Sequence, residues 1–393
     1  VREETNPDGT KNSYTYDTMG YLTEETHAGV MTTYTYYPNG KLHTESFADG
    51  TKREYTYDTN WNMISVMDQD KHTTTYTYDA MANVTSVTDA LGNKVSYTYD
   101  ANGRKTSVTD ARGYETKYTY DGNGNCTKTE TPDGTVVSYT YDANGNVTKM
   151  ATQTSEGEIA VTYKYDKKGQ PVETTDALGN VTKVTYDIYG NVEKVTDAYG
   201  NIVEQNKYDA IHQLIKTTDA SGAVSTYGYD KSGNMTRSTM AEGSTKETTY
   251  AYTYDSMDRI LTSADPLSGI STYAYNEAGQ VSSVTDPMGG VTQYRYDELY
   301  RVTEVITPIH TSSQYTYNAQ GLLETEKNAR GQDTKYTYDA IGRITEIEDE
   351  LGTITYTYDE NSNILTVTEK QGLTKKTISR TYDSMNRVES YTD

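Results

Sequence analysis

Between Lys94 and Tyr99 the chain alternates strictly, with Val95, Tyr97 and Tyr99 on one parity and Lys94, Ser96 and Thr98 on the other. A period of two places the apolar set on one face of a β-strand. A turn signal, Asp89-Ala90-Leu91-Gly92-Asn93, comes immediately before it. Before that, a second strand is predicted from about Asn83 to Thr88. In this first strand Val84 and Val87 lie three apart, which requires either opposite faces or a bulge. The strand after the turn is followed by Asp100-Ala101-Asn102-Gly103, a phrase repeated at Asp142 to Gly145. Such a turn offers a side-chain acceptor at its start and a residue free to take positive φ at its end. Glycine fills that last place in eleven copies: Gly20, Gly40, Gly103, Gly124, Gly145, Gly169, Gly190, Gly233, Gly279, Gly321 and Gly342. Asp258 and Asn386 tolerate the left-handed region, whereas Trp61 and Tyr300 do not tolerate it well. The turns at Trp61 and Tyr300 are therefore predicted to differ in shape. They are the places to look for a local function or for a side chain laid over the sheet edge.

The two-strand, two-turn unit recurs along the whole chain, usually closing on Tyr-x-Tyr-Asp. The phrase-ending tyrosines are Tyr16, Tyr36, Tyr57, Tyr78, Tyr99, Tyr120, Tyr141, Tyr165, Tyr186, Tyr208, Tyr229, Tyr254, Tyr275, Tyr296, Tyr317, Tyr338, Tyr358 and Tyr382. Their mean spacing of about 21.5 residues lies in the range of solenoids and arrays. The expected fold class is all-β: tandem hairpins in one long antiparallel sheet, a single continuous array over residues 1–393. Thirty-six strands at about 4.8 Å each make a ribbon roughly 170 Å long. A flat open sheet of that size leaves long unprotected edges, so the ribbon is expected to spiral into a hollow shell or tube. The aligned tyrosines are expected to stack along it as a ladder.

A hydrophobic fraction of 34% and a net charge of −22 would ordinarily suggest disorder. Periodicity overrules that reading, because the repeating residues, Tyr, Thr and Val, suit a half-buried pleated surface. Tyrosine accounts for 41 residues against one Phe and one Trp, since nearly every copy contributes two. The acidic balance argues against a nucleic-acid partner, which demands clustered Lys and Arg. No stretch approaches the roughly 18 apolar residues of a membrane span, and no segment reads as a signal peptide. Val1 and Asp393 both fall inside repeats, so the chain is expected to be a fragment of a longer array with any export signal outside it. The single Cys126 occupies the slot of Val84 and Val147 and reads as a small buried hydrophobe.

Chemistry-bearing motifs are few. His27, His43, His72, His212 and His310 stand at no metal-binding spacing, and no nucleophile elbow or phosphate loop is present. Asp121-Gly122-Asn123-Gly124-Asn125 begins like a calcium loop, but Cys126 and Pro132 stand where an EF-hand needs Gly and Glu. Carboxylates recur at turns, so turn chemistry accounts for them. The sequons at Asn83, Asn146, Asn180 and Asn234 follow from the repeat itself. Three long intervals add residues near Ser155 to Glu158, Ala241 to Ser244 and Lys370 to Gly372. Such insertions mark either a binding face or plain hairpin lengthening. No catalytic residue, cofactor or metal is expected, and the residues singled out are the structural tyrosines.

Phrases such as Tyr-Thr-Tyr-Asp-Ala-Asn-Gly-Asn-Val-Thr at Tyr139 to Thr148 and Thr-Asp-Ala-Leu-Gly-Asn at Thr175 to Asn180 resemble the YD or RHS repeats. These occur in bacterial polymorphic toxins, wall-associated proteins, shell components of insecticidal toxin complexes and animal teneurins. The resemblance covers essentially the whole chain and implies a β-sheet spiralling into a hollow shell, which in toxin relatives encloses a C-terminal effector. Asp286-Pro287-Met288-Gly289 is similar to an element of the self-cleaving segment of those relatives, but it occupies an ordinary hairpin-turn slot. The expected function is that of a non-catalytic structural segment of an extracellular or cell-surface bacterial protein. It would enclose or display a cargo such as a toxin, or build a surface filament. Its partners would be its own flanking repeats and that cargo. The alternative is an adhesin that holds cell-wall or host glycans with exposed Tyr, Asn and Asp. An enzyme is a distant third reading.

Overall fold

A computed structural model describes residues 1–393 as 37 β-strands in one sheet, with no helix. Strands adjacent in sequence pair antiparallel, as in Met63–Met67 with Thr73–Tyr78 and Thr73–Tyr78 with Val84–Thr88. The count is one more than the thirty-six expected, because the chain beyond Tyr382 adds the first strand of a further copy, Val388–Thr392. Two compact units are distinguished: Val1–Thr116 with Ala274–Thr285 and Gly290–Asp393, and Lys117–Tyr273 with Asp286–Gly289.

The open register of the first strand resolves as a bulge. Thr77 faces Ser86 while Tyr78 faces Val84, so Thr85 is an extra residue with no opposite number. The bulge returns Val84 and Val87 to one face, opposite Tyr78 and Tyr76. The same shift recurs at Thr98/Tyr99, Thr140/Tyr141 and Thr357/Tyr358. Each copy therefore has a tyrosine-and-valine face and a threonine-and-serine face.

On the hairpin side the ladder is short, running only from Lys94↔Thr88 to Ser96↔Ser86. Beyond that point the strands splay, and the Val84 carbonyl accepts a hydrogen bond from the Tyr99 hydroxyl at 2.8 Å. The clasp repeats at Tyr78 to Met63, Tyr141 to Cys126, Tyr296 to Val281, Tyr317 to Val302 and Tyr338 to Leu323, each within 2.6–2.7 Å. The phenol replaces a missing rung of the backbone ladder, which explains why Phe does not serve at this place. The expected ring-on-ring ladder is not what the tyrosines form. Ring contacts gather in the first copies, at Tyr21–Tyr36 and around Tyr37, Tyr57 and Trp61. Phrase-ending tyrosines of successive copies sit two strands, roughly 10 Å, apart, beyond direct stacking of one on the next. On the other face hydroxyls pair across strands, Thr98 with Ser107 at 2.8 Å and Thr316 with Thr325 at 2.7 Å.

No side chain is completely buried; Ala151 is the single apolar residue below the surface, joined by Ser86, Ser107, Asn206, Ser238 and Thr239. The surface area is 23706 Å², against about 15,000 Å² for a compact monomer of this mass. The sheet is a single layer, stabilised strand by strand. Two of the three long intervals are plain hairpin lengthening, in which paired strands run out to Thr154↔Gly157 and Gln371↔Thr374. The third is a loop between Met235–Met240 and Thr248–Tyr254.

Because the clasp is a single hydrogen bond to an otherwise unpaired carbonyl, Tyr99→Phe is expected to destabilise its copy by about 1 kcal/mol. Tyr99→Ala, which also removes the ring, should cost about 2–4 kcal/mol. Amide hydrogen exchange over residues 84–99 measures both, and equal protection in Tyr99→Phe and the parent would refute the clasp.

Candidate functional site

Two sets of turns line the two edges of the sheet. Hairpin turns such as Asp89 to Gly92 join the strands of one copy, and linking turns such as Asp79 to Ala82 join one copy to the next. In a linking turn the Asp79 carboxylate accepts the amides of Met81 at 2.8 Å and Asn83 at 2.9 Å, while its second oxygen accepts the Asn83 side chain at 3.0 Å. Arginine takes the asparagine place in several copies, as in Asp297–Arg301 and Asp339–Arg343 at 2.7 Å. These arginines also cover the next tyrosine ring, Arg301 over Tyr317 and Arg343 over Tyr358. The side-chain hydrogen bond from the partner Asn holds the carboxyls of Asp58, Asp79, Asp121 and Asp142 below their ordinary value of 3.8.

Trp61 and Tyr300 do not give their turns a different shape. Both adopt positive φ, 63° and 64°, and both make the bond to the turn-opening Asp carbonyl that glycine makes elsewhere. The side chains account for the exception. Trp61 lies against Tyr37 and Tyr57, and the Tyr300 hydroxyl donates to the carbonyl of His27.

That last contact, across 273 residues, belongs to a seam within the first unit. Linking turns of the late copies meet hairpin turns of the early ones. Gln320 Nε2 reaches Asp68 Oδ2 at 2.6 Å and His72 Nδ1 at 2.9 Å. Asn361 donates to Asp110 Oδ2 at 2.6 Å and accepts the amide of Ala111 at 3.1 Å. Arg112 is the most connected member. Its guanidinium donates to the carbonyls of Tyr382 and Asp383 at 2.9 and 3.0 Å and to Asn386 Oδ1 at 3.2 Å, and it pairs with Asp359 at 3.4 Å. It also lies over the Tyr114 ring at 4.9 Å. Both partners of the Arg112–Asp359 pair are largely withdrawn from solvent, at 15% and 8% exposure. Sequence reasoning passed over Arg112, which stands where the hairpin turns to either side carry Leu91 and Asp133.

The remaining motifs resolve as ordinary structure. Asp286 to Gly289 forms a hairpin turn, with the Met288 amide on Asp286 Oδ1 and Gly289 at positive φ. Asp121 to Asn125 is a linking turn like its neighbours. The sequon asparagines Asn83, Asn146, Asn180 and Asn234 bind the aspartate that opens their turn. Cys126 is half-buried and supplies the carbonyl for the Tyr141 clasp. No three of the His, Cys, Asp and Glu side chains converge as a metal site, and no helix is long and apolar enough to cross a membrane.

Arg112→Ala removes the cation beside Asp359 and the donor to the Tyr382 and Asp383 carbonyls, so it should weaken the seam by about 1–2 kcal/mol. Faster hydrogen exchange in residues 359–387 with unchanged exchange in the second unit is the expected result. The turn carboxylates have depressed folded values, so their stabilisation is complete above their ordinary value and lost as pH falls through the folded one. Thermal stability should be flat from about pH 5 to 8 and fall below about pH 4. The clasp tyrosines behave oppositely: burial pushes Tyr78, Tyr99 and Tyr141 above 10.0, so their contribution is complete below that value and lost as pH rises beyond it. A tyrosinate absorbance titration should show a late-ionising population that appears together with loss of β-sheet circular dichroism.

The RHS Repeat family model matches residues 62–94, 83–116, 99–136, 120–158, 165–202, 208–245, 275–308, 317–354 and 338–374, together well over half of the chain. Among curated proteins, none matches it by sequence. Solved structures of similar fold include TcdB2-TccC3-Cdc42, with a TM-score of 0.69 at 16% identity over 98% of this chain and 25% of that one. TcdB2-TccC3 without its hypervariable C-terminal region gives a TM-score of 0.74 at 16% identity over 97% of this chain and 22% of that one. The chain thus spans about a quarter of the length of the structures it resembles, and at this identity the likeness is one of fold. With the repeat model met again and again along a sheet built from clasped Tyr-Asp hairpins, the chain belongs to the RHS-repeat family.

Proposed function

We propose that this chain is a non-catalytic wall segment of a secreted bacterial protein, one continuous array whose ribbon winds into a hollow shell that encloses a cargo such as a toxin. The observation that carries this reading is the seam of the first unit, where late linking turns return onto early hairpin turns some 250 residues back. A ribbon whose late turns rest on its own early turns is held as a wall rather than an open strip. Recurrent polar groups hold that wall: aspartates close turns, tyrosines cap carbonyls, and threonines pair across strands. These roles favour a structural use of the repeat over a catalytic one. The fold likeness to TcdB2-TccC3, both named with Cdc42 and without its hypervariable C-terminal region, supports a wall whose construction is independent of what accompanies it.

Electron microscopy of the native protein tests the proposal. Compact hollow particles with density inside are the expected result. Uniform tubes with empty interiors would replace the container with a surface filament, and flat open ribbons would overturn the winding itself.

A further inference from the structure

The hairpin turn that receives Gln320 differs from its neighbours at one position. In the turns opened by Asp89, Asp176 and Asp197 the fifth residue is asparagine, whose side-chain amide donates to the second oxygen of the opening carboxylate at 2.8, 2.8 and 3.0 Å. That oxygen is then engaged within the turn. In the turn opened by Asp110 the fifth residue is Tyr114, and the same oxygen accepts Asn361 from across the seam at 2.6 Å. In the turn opened by Asp68 the fifth residue is His72, and Asp68 Oδ2 accepts Gln320. Asp89, between these two along the chain, accepts its own Asn93 and no side chain of a late turn. A donor at the fifth place keeps the oxygen inside the turn, and a residue that donates nothing there leaves it to the seam.

Histidine at this place can do either. An ionised carboxylate only accepts, so the Gln320 atom 2.6 Å from Asp68 Oδ2 is the amide nitrogen; that nitrogen, which only donates, also lies 2.9 Å from His72 Nδ1. His72 Nδ1 therefore carries no proton in the closed seam, and the same atom stands 3.6 Å from Asp68 Oδ2. Histidine is the side chain whose charge ordinarily changes between about pH 5 and 8. A proton on Nδ1 opposes the Gln320 amide and supplies a donor where Asn93 supplies one in the next turn. The surrounding charges favour the exchange. Arg53, Asp68 and Asp89 line the cleft beside the ring, with Arg53 paired to Glu45 at 3.4 Å and Asp89 engaged in its own turn. Asp70 and Lys71 share the turn of His72, where the Asp70 amide donates to Asp68 Oδ1. The late side brings Gln320, Leu322 and Ile341 to the cleft. Its linking turn opens with Asn318, and the next one opens with Asp339, which is paired to Arg343 at 2.7 Å. A protonated imidazole thus finds its anion on its own turn and none on the turn across the seam. We propose that His72 is a proton-operated latch of the seam: neutral, it leaves Asp68 Oδ2 to Gln320; protonated, it takes that oxygen itself and releases the linking turn at Asn318 to Gly321. The released state binds the extra proton, so falling pH favours it. The turn gains what the seam loses, so the thermal stability of the array stays level while the contact between copies loosens. The latch does not depend on whether the wall encloses a cargo.

Amide hydrogen exchange of the whole chain at about pH 7.5 and about pH 5.5, on either side of the histidine range, tests the latch when expressed as protection relative to the unfolded chain at each pH. Protection of residues 318–322 should fall about fivefold at the lower pH, roughly the equivalent of one hydrogen bond. Residues 359–363, whose Asn361 meets a turn without histidine, should keep theirs. His72→Asn installs the donor of the Asp89 turn and should give the low protection at both pH values. His72→Tyr installs the residue of the Asp110 turn and should give the high protection at both. Both side chains already stand at this place in other turns, so unchanged β-sheet circular dichroism is expected of both variants. Equal protection of residues 318–322 in the parent at the two pH values overturns the proposal. So does His72→Asn with the parent's protection at pH 7.5, or a pH response that persists in His72→Tyr.

Discussion

The structure depends on one constraint: a single-layer sheet has no buried core to supply its stability, so each copy must satisfy its own backbone. Only Ala151 among the apolar residues is withdrawn from solvent. What replaces the core is a bulge in each first strand, which opens the hairpin ladder early, and a phenol that closes the gap, as Tyr99 does on Val84. The bulge and the tyrosine are two halves of one device. The bulge brings Val84 and Val87 to the tyrosine face, and the tyrosine satisfies the carbonyl that the resulting splay leaves free.

The turns extend the same economy. An opening carboxylate such as Asp58 or Asp297 accepts two amides and one side chain, which lets a turn hold its shape even where the fourth residue is poorly suited to positive φ. Trp61 and Tyr300 show this: the hydrogen-bond frame imposes the left-handed conformation, and the large side chains repay the strain with contacts at the sheet edge. Local strain is tolerated where it places a side chain against another row of turns.

Within the first unit the two rows of turns join distant copies: linking turns sit on hairpin turns, with Arg112 joining two successive linking turns. The interaction is polar and specific, unlike the burial of an apolar face. Opposite rows of turns meet, late linking turns on early hairpin turns.

Much of this was legible in the chain. The alternation of Lys94 to Tyr99 specified a strand, the Asp-x-x-Gly phrases specified turns of the observed hydrogen bonding, and the tyrosine spacing specified the number of copies. These features rest on residues within five or so positions of one another, so their physics is complete in a short window. The acceptor of each phenol was not legible, because it depends on where a bulge ends a ladder, and ring stacking was the more obvious use for an aligned aromatic. Least legible was the seam. Whether Arg112 meets Asp359 or open water is set by twist accumulated over about twelve copies, and nothing local to Ala111-Arg112-Gly113 distinguishes it from Ala329-Arg330-Gly331. The strand, the turn and the repeat follow from short stretches of the chain; which turns meet was decided in the fold, because a twist of roughly 20° per strand, summed over some two dozen strands, selects the partner.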